Sequence, residues 1–395
     1  MKKSILTILL LSCANLMFAQ NAYQNVLDSI EVNSTVLSAH HKQMQADKSS
    51  NDAYSLFENP EIEAAYRFGS PKGETSDKIE LGIAQEIAFP TVYTNENKII
   101  KINDNIIDIQ YHIDRMNVMT EVQSICTELI FCKMKIKLFK QNYDNAVRIA
   151  DAYQKMMELG EANILDFNKS KMNLANAKNS YELEMIHYEN LMASLKTLNG
   201  GKDIDFQYED YPLVTLPENF DEWYSSVEQN NPVFEQMRQQ IALNQQEVKL
   251  SKSQWIPKFV VGYGAEIGKD EAEHGPSIGL SLPLWHNKGS VKSAKLQAEA
   301  AESLLMNEKA VTYNYLYSLF AKVNALQNNV VALAESMQQF DSQALLLKSF
   351  EQGEMNLVDY LLEVEYYQNA VLELYSAQYE MNAGVIELKS YEGSL

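Results

Sequence analysis

Two short segments carry the same kinds of side chain in the same order: Gly160-Glu161-Ala162-Asn163-Ile164-Leu165-Asp166 and Gly353-Glu354-Met355-Asn356-Leu357-Val358-Asp359. Their aspartates have two chemistries open to them. Near the start of a helix, a carboxylate favours the helix dipole by about 0.3 to 1 kcal/mol. For Asp359 alone, gathering about a symmetry axis would bring like carboxylates together, which raises their proton affinity and attracts cations. Other reactive residues are less suggestive. Cys126 and Cys132, six residues apart, would point about 120° apart along a helix and differ by ~9 Å in rise, so they cannot bridge within it. Their expected role is that of small buried apolar residues. His40-His41, His112, His187, His274 and His286 are dispersed, with no second ligand at metal spacing in the sequence. Met116, Met119, Met134, Met156 and Met157 fall in helical zones, where methionine commonly fills gaps. No catalytic residue, cofactor or metal site is expected.

The chain opens with Met1-Lys2-Lys3, an apolar run from Ile5 to Leu11, and then Met17-Phe18-Ala19, the pattern of a secretory signal over 1–19. Cys13 also invites a lipid-attachment reading, but Leu11 is bulky for that motif, and cleavage after Ala19 is the expectation. No apolar run approaches the roughly 20 residues of a transmembrane helix. The formal net charge of −20, or −22 without Lys2 and Lys3, argues against a nucleic-acid partner and reports a solvated surface that tolerates cations.

The elements that position the two aspartates repeat. Ile30-Glu31, Val36 and Pro60 match Val227-Glu228, Val233 and Pro257 at an offset of 197 residues. From Pro90 and Pro283 onward the offset is 193, through Gly160 and Gly353 to Gly200 and Gly393. Prolines are absent from 91–211 and 284–395, which predicts two long helical zones. The 70 residues from each proline to its tip glycine predict matched helices of ~100 Å. Ile99, Ile102, Ile106, Ile109, Ile113 and Met116 form an apolar seam on the first, and Val311, Tyr315, Leu316 and Phe320 on the second. Beyond the glycines, shorter helices fold back.

Before each long helix the side chains alternate with period two, which predicts strands. Ile62, Ala64, Tyr66 and Phe68 oppose Glu61, Glu63, Ala65 and Arg67, and Ile79, Leu81 and Ile83 oppose Lys78, Glu80, Gly82 and Ala84. In the second copy Phe259, Val261, Tyr263, Ala265 and Ile267 form one such set, and Ile278, Leu280, Leu282 and Leu284 another. Each strand is about 9 to 11 residues, the length that crosses a bilayer when tilted. The polar loops 70–77 and 269–275 would be water-exposed caps.

The expected organisation is a first repeat over 20–200, with a helix, a β-hairpin at about 61–89, a long helix at 91–159 and a return helix at 163–198. A linker over 201–219 follows. The second repeat, 220–395, places its hairpin at about 258–284, its long helix at 286–352 and its return helix at 356–391. Four strands cannot close a barrel, and an open edge in a membrane leaves amides unsatisfied, so several chains must pool their strands. Three chains give twelve strands and a lumen, whereas two give eight and a filled interior. The competing reading is a periplasmic coiled-coil adaptor or scaffold without a pore. It does not explain why both hairpins carry an uncharged face of membrane-spanning length at matching places.

In this order of elements, in Asn231-Pro232, in Leu282-Pro283-Leu284-Trp285 and in the two tip segments, the chain resembles the TolC-like outer-membrane factors from end to end. The stretch Leu282 to Gly289 looks most like the CzcC and CusC branch, which serves heavy-metal efflux. The resemblance implies a mainly α fold with membrane β: a homotrimer sharing a 12-stranded barrel in outer-membrane lipid, continued by a long periplasmic α-helical barrel. It implies a passive duct, not an enzyme, that works with a periplasmic adaptor and an inner-membrane resistance-nodulation-division pump. Gly160, Asn163, Asp166, Gly353, Asn356 and Asp359 would form the periplasmic tips where the adaptor docks. Asp359 stands at the first of two aspartate positions that narrow the family's entrance, but Leu362 stands at the second, and Met355 replaces a basic residue that helps hold the closed state.

Overall fold

The computed structural model describes residues 23–52, 58–69, 77–212, 216–269, 271–285, 287–339 and 343–393. The expected signal at 1–19 with Cys13, loop residues 70–76 and His286 lie outside them. The chain runs α1 (Gln24–Asn33), α2 (Thr35–Asp52), β1 (Glu61–Arg67), β2 (Lys78–Ile87), α3 (Pro90–Glu158) and α4 (Ile164–Leu198). After a linker come α5 (Phe220–Asn230), α6 (Pro232–Ser253), β3 (Lys258–Ile267), β4 (Ala272–Ser281), α7 (Ser290–Gln339), α8 (Gln343–Glu351) and α9 (Leu357–Ser390).

Helix α3 has 69 residues, ~100 Å at 1.5 Å per residue. Pro90 opens it, where a missing N–H is harmless and the fixed φ suits a helix. The single helix expected over 286–352 differs. Its helical part begins at Ser290, because Gly289 adopts φ +89° in a turn closed by Ser290 N–H to Asn287 O at 3.2 Å. It is described as α7 and α8, with 340–342 outside the described residues. The leading helix is also two helices in each repeat. Ser34, with extended ψ of 121°, separates α1 from α2, and Asn231 separates α5 from α6 by accepting from the Val233 N–H at 2.8 Å. The two breaks stand at the 197-residue offset.

The four strands form one antiparallel sheet in the order β1-β2-β3-β4, so the hairpins of the two repeats pair through β2 and β3. β4 starts at Ala272 and ends at Ser281, earlier than the Ser277–Leu284 pattern predicts. The residues expected as loop, 272–275, instead pair with 264–267 of β3. The register sorts the faces. Ile62, Ile83, Tyr263 and Pro276 align in one row, and Tyr66, Ile79, Ile267 and Ala272 in another on the same face. Ile62, Leu81, Ile83, Val261, Ile278 and Leu280 there are all exposed. The opposite face carries Glu61, Glu63, Glu80, Glu86, Glu266 and Glu273 among glycines, against Arg67, Lys78 and Lys258. Among the described residues β1 and β4 are the edges of the sheet.

The chain divides into two compact units, neither of which coincides with a repeat. One comprises the described parts of Met1–Ala39, Asp114–Asn230 and Thr312–Leu395, the other His40–Ile113 and Asn231–Val311. In the first, Met119, Val122, Cys126, Leu129 and Ile130 of α3 recur at three- and four-residue steps and are buried with Val26 and Ile30 of α1, Leu191 and Leu195 of α4, and Ile386 of α9. The linker contributes Phe206 to this core. In the second, the sheet is accompanied by polar helix contacts. The Asn51 side-chain amide donates to Ile100 O and to Asp104 Oδ1, both at 2.8 Å, and Lys48 pairs with Asp108 at 2.7 Å.

Candidate functional site

The two tip segments fold alike. At the end of α3, the Gly160 N–H donates to Met157 O at 3.1 Å and the Glu161 N–H to Met156 O at 2.7 Å, and Gly160 sits at φ +76°. This glycine-terminated ending satisfies the last carbonyls of a helix and needs a left-handed residue. After α8, Gly353 at φ +75° repeats it, with Gly353 N–H to Phe350 O and Glu354 N–H to Ser349 O both at 3.0 Å. The return helices start from asparagine caps. Asn163 Oδ1 accepts from the Asp166 N–H at 2.9 Å, and its amide donates to the Asp166 carboxylate at 2.5 Å. Asn356 and Asp359 repeat both bonds at 3.0 and 2.6 Å. Each pair is a reciprocal cap in which the carboxylate also lies in the favourable first turn.

Near the second tip, α3, α8 and α9 share a small core of Ile149, Leu357 and Tyr360, flanked by Tyr153, Phe350 and Met355. The Phe350 and Tyr360 rings lie 4.8 Å apart, and burial pushes the Tyr360 hydroxyl above its usual range. Thus Met355, which stands at the basic position of the resemblance, is half-buried against this core. Asp359 and Leu362 are exposed one turn apart on α9, with Val358 beside them. Leu159, Ile164 and Leu165 add apolar surface at the first tip. The aromatic core near the second tip was not anticipated, although Tyr360 adjoins Asp359 in sequence.

The cysteines take different environments. Cys126 is fully buried in the apolar core, which pushes its thiol up to about 12. Cys132 is buried beside Glu184 and His187 of α4, and its thiol is raised by burial and by donating to the Glu184 carboxylate. Both thiols are buried, as expected, but Cys132 also meets polar partners. Its partners lie 52 and 55 residues away and meet it only because α4 runs antiparallel to α3.

A chain with two glycine-tipped helical hairpins and a four-stranded sheet shared between repeats belongs to a defined fold class. Its structure matches the outer-membrane channel CmeC of Campylobacter jejuni with a TM-score of 0.75 and 16% identity, covering 94% of this chain and 85% of that one. It matches CusC, described for folding and transmembrane channel formation, with a TM-score of 0.75 and 12% identity over 94% and 92% of the two chains. The chain therefore has the TolC-like outer-membrane channel fold, as the resemblance implied. In sequence it is similar to the cobalt-zinc-cadmium resistance protein CzcC of Cupriavidus metallidurans, 24% identical over 258 residues, 62% of this chain. That match spans 60% of the relative's length. No family model matches the chain.

Proposed function

We propose that this chain is one subunit of an outer-membrane exit duct in a tripartite efflux system. The observation that carries the reading is the sheet: an exposed apolar face, an acidic opposite face, and two edges, all on a chain of the channel fold. Edge amides cannot stay unpaired in hydrocarbon, so β1 of one chain pairs with β4 of the next, and three chains close twelve strands. The apolar rows face outer-membrane lipid, and the glutamate rows face the lumen. The helices extend the duct into the periplasm.

The tips at Gly160, Asn163 and Asp166 and at Gly353, Asn356 and Asp359 form the entrance and receive the helical hairpins of a periplasmic adaptor, which links the duct to a resistance-nodulation-division pump. Asp359 and Leu362 line the narrowest part. Cargo is cationic, a reading supported by the glutamate-rich sheet face, the net charge of −20 and the similarity to a cobalt-zinc-cadmium resistance protein. The duct moves cargo passively and performs no chemistry. Deleting the chromosomal copy tests this: divalent-metal tolerance falls and is restored by the wild-type chain. Unchanged tolerance to metals with lost tolerance to hydrophobic compounds overturns the cargo assignment.

A further inference from the structure

Between α3 and α4, four side chains with metal-ligating atoms converge. Glu128 and Cys132, about one turn apart on α3, face Glu184 and His187, about one turn apart on α4. Cys132 Sγ lies 3.0 Å from Oε1 of Glu184, and His187 Nε2 lies 3.1 Å from Oε1 of Glu128. The Cys132 sulfur, one Glu184 oxygen and one His187 nitrogen all lie within 4.8 Å of one another. Cys132 and Glu184 are 0 and 7% exposed, whereas the His187 and Glu128 side chains retain 45 and 34%. The cluster is closed on the inside and open on the outside, where an ion can enter.

We propose that this cluster is a binding site for a zinc-type divalent transition metal, with Cys132, Glu184 and His187 as ligands and solvent at the fourth position. The donor set decides the class: sulfur with imidazole and one carboxylate suits zinc, cobalt or cadmium and disfavours magnesium or calcium, which take oxygen. Tetrahedral ligands of this set, at ~2.0 to 2.3 Å from zinc, stand roughly 3.3 to 3.6 Å apart, so small side-chain rotations suffice. The surroundings fit as well. Lys135 pairs with the other Glu184 oxygen, Oε2, at 2.6 Å, which orients the carboxylate and leaves Oε1 for the metal. The Lys135 ammonium lies 5.0 Å from the centre of the Phe131 ring, which in turn stacks on Tyr379 of α9, so the lysine has its own support. Glu128 orients the imidazole. On binding, a metal–sulfur bond replaces the Cys132 S–H, and the proton leaves to solvent. The bound ion ties α3 to α4. The site does not depend on the duct reading.

The test is a titration of the chelator-stripped full chain in detergent with cobalt(II), used as the spectroscopic stand-in for zinc. One cobalt per chain, a thiolate-to-cobalt charge-transfer band and displacement by zinc are expected. Cys132→Ser removes the band, His187→Ala and Glu184→Gln each weaken cobalt binding at least tenfold, and Cys126→Ser keeps the wild-type spectrum. Far-ultraviolet circular dichroism verifies folding of each variant, and the half-exposed His187 provides a variant that leaves the core intact. Zinc raises the melting temperature of the wild type and not of His187→Ala. A wild-type spectrum with no charge-transfer band, a band that survives Cys132→Ser, or equal affinity in His187→Ala overturns the proposal.

Discussion

Asn356 and Asp359 hold each other: the asparagine oxygen accepts from the aspartate N–H at 3.0 Å while the asparagine amide donates to the aspartate carboxylate at 2.6 Å. The carboxylate proposed for the entrance is thus also part of a helix cap. Replacing Asn356 with alanine removes the cap, and we expect a loss of about 1 kcal/mol in stability by denaturant titration. Asp359→Ala instead keeps the Asn356-to-backbone bond, destabilises less, and raises conductance or alters block by divalent cations in planar bilayers. Single-channel behaviour unchanged from wild type removes Asp359 from the constriction.

The tip glycines make a second prediction. Gly160 and Gly353 sit at φ +76° and +75° with open space where a Cβ would be built, so the cost of a side chain there is backbone strain and not collision. Gly353→Ala should destabilise the chain by about 1 to 2 kcal/mol, while Gly353→Asn, which tolerates the left-handed region, costs less. Equal losses for the two variants contradict the strain account.

The sheet faces should respond unequally to charge. Leu81→Arg lies on the exposed apolar face, which meets lipid in the proposed duct; a cation there costs up to about 2 to 4 kcal/mol depending on depth, and should abolish stable outer-membrane assembly. Ala65→Lys lies on the acidic face in the row of Glu80 and should assemble normally. Quantifying heat-resistant oligomer in membrane fractions compares them.

Much of this architecture was legible in the sequence because each cue was local. The proline-free zones gave α3 and the return helices, and period-two alternation gave β1 to β3. β4 was displaced because His274 and Pro276 occupy its apolar-face positions, and a proline reads as loop. Within a single chain β4 is the outer strand of the sheet, a position where a proline is tolerated. The late start of α7 depends on the positive φ of Gly289, which residue type permits but does not require. The tip glycines, asparagines and aspartates were readable as a repeated segment. The convergence of Cys132 with Glu184 and His187 was not, because it depends on how α3 and α4 lie against each other.

Burial gives Cys126 a measurable signature. Its thiol is raised from 9.0 to about 12, mainly by desolvation. A raised folded value means that this contribution to stability is complete below pH ~9 and is lost as pH climbs toward 12. At pH 8 the native protein should therefore leave Cys126 unmodified by iodoacetamide, and the denatured chain should be labelled fully, as read by peptide mapping. Fast labelling of the native protein contradicts the packing of α3 against α1 and α4.

The most direct test of the channel account is the assembly state and conductance of the chain purified from outer membranes. The account predicts a heat-modifiable trimer that opens cation-preferring pores in planar bilayers. A soluble monomer without conductance contradicts it and returns the chain to a periplasmic scaffold.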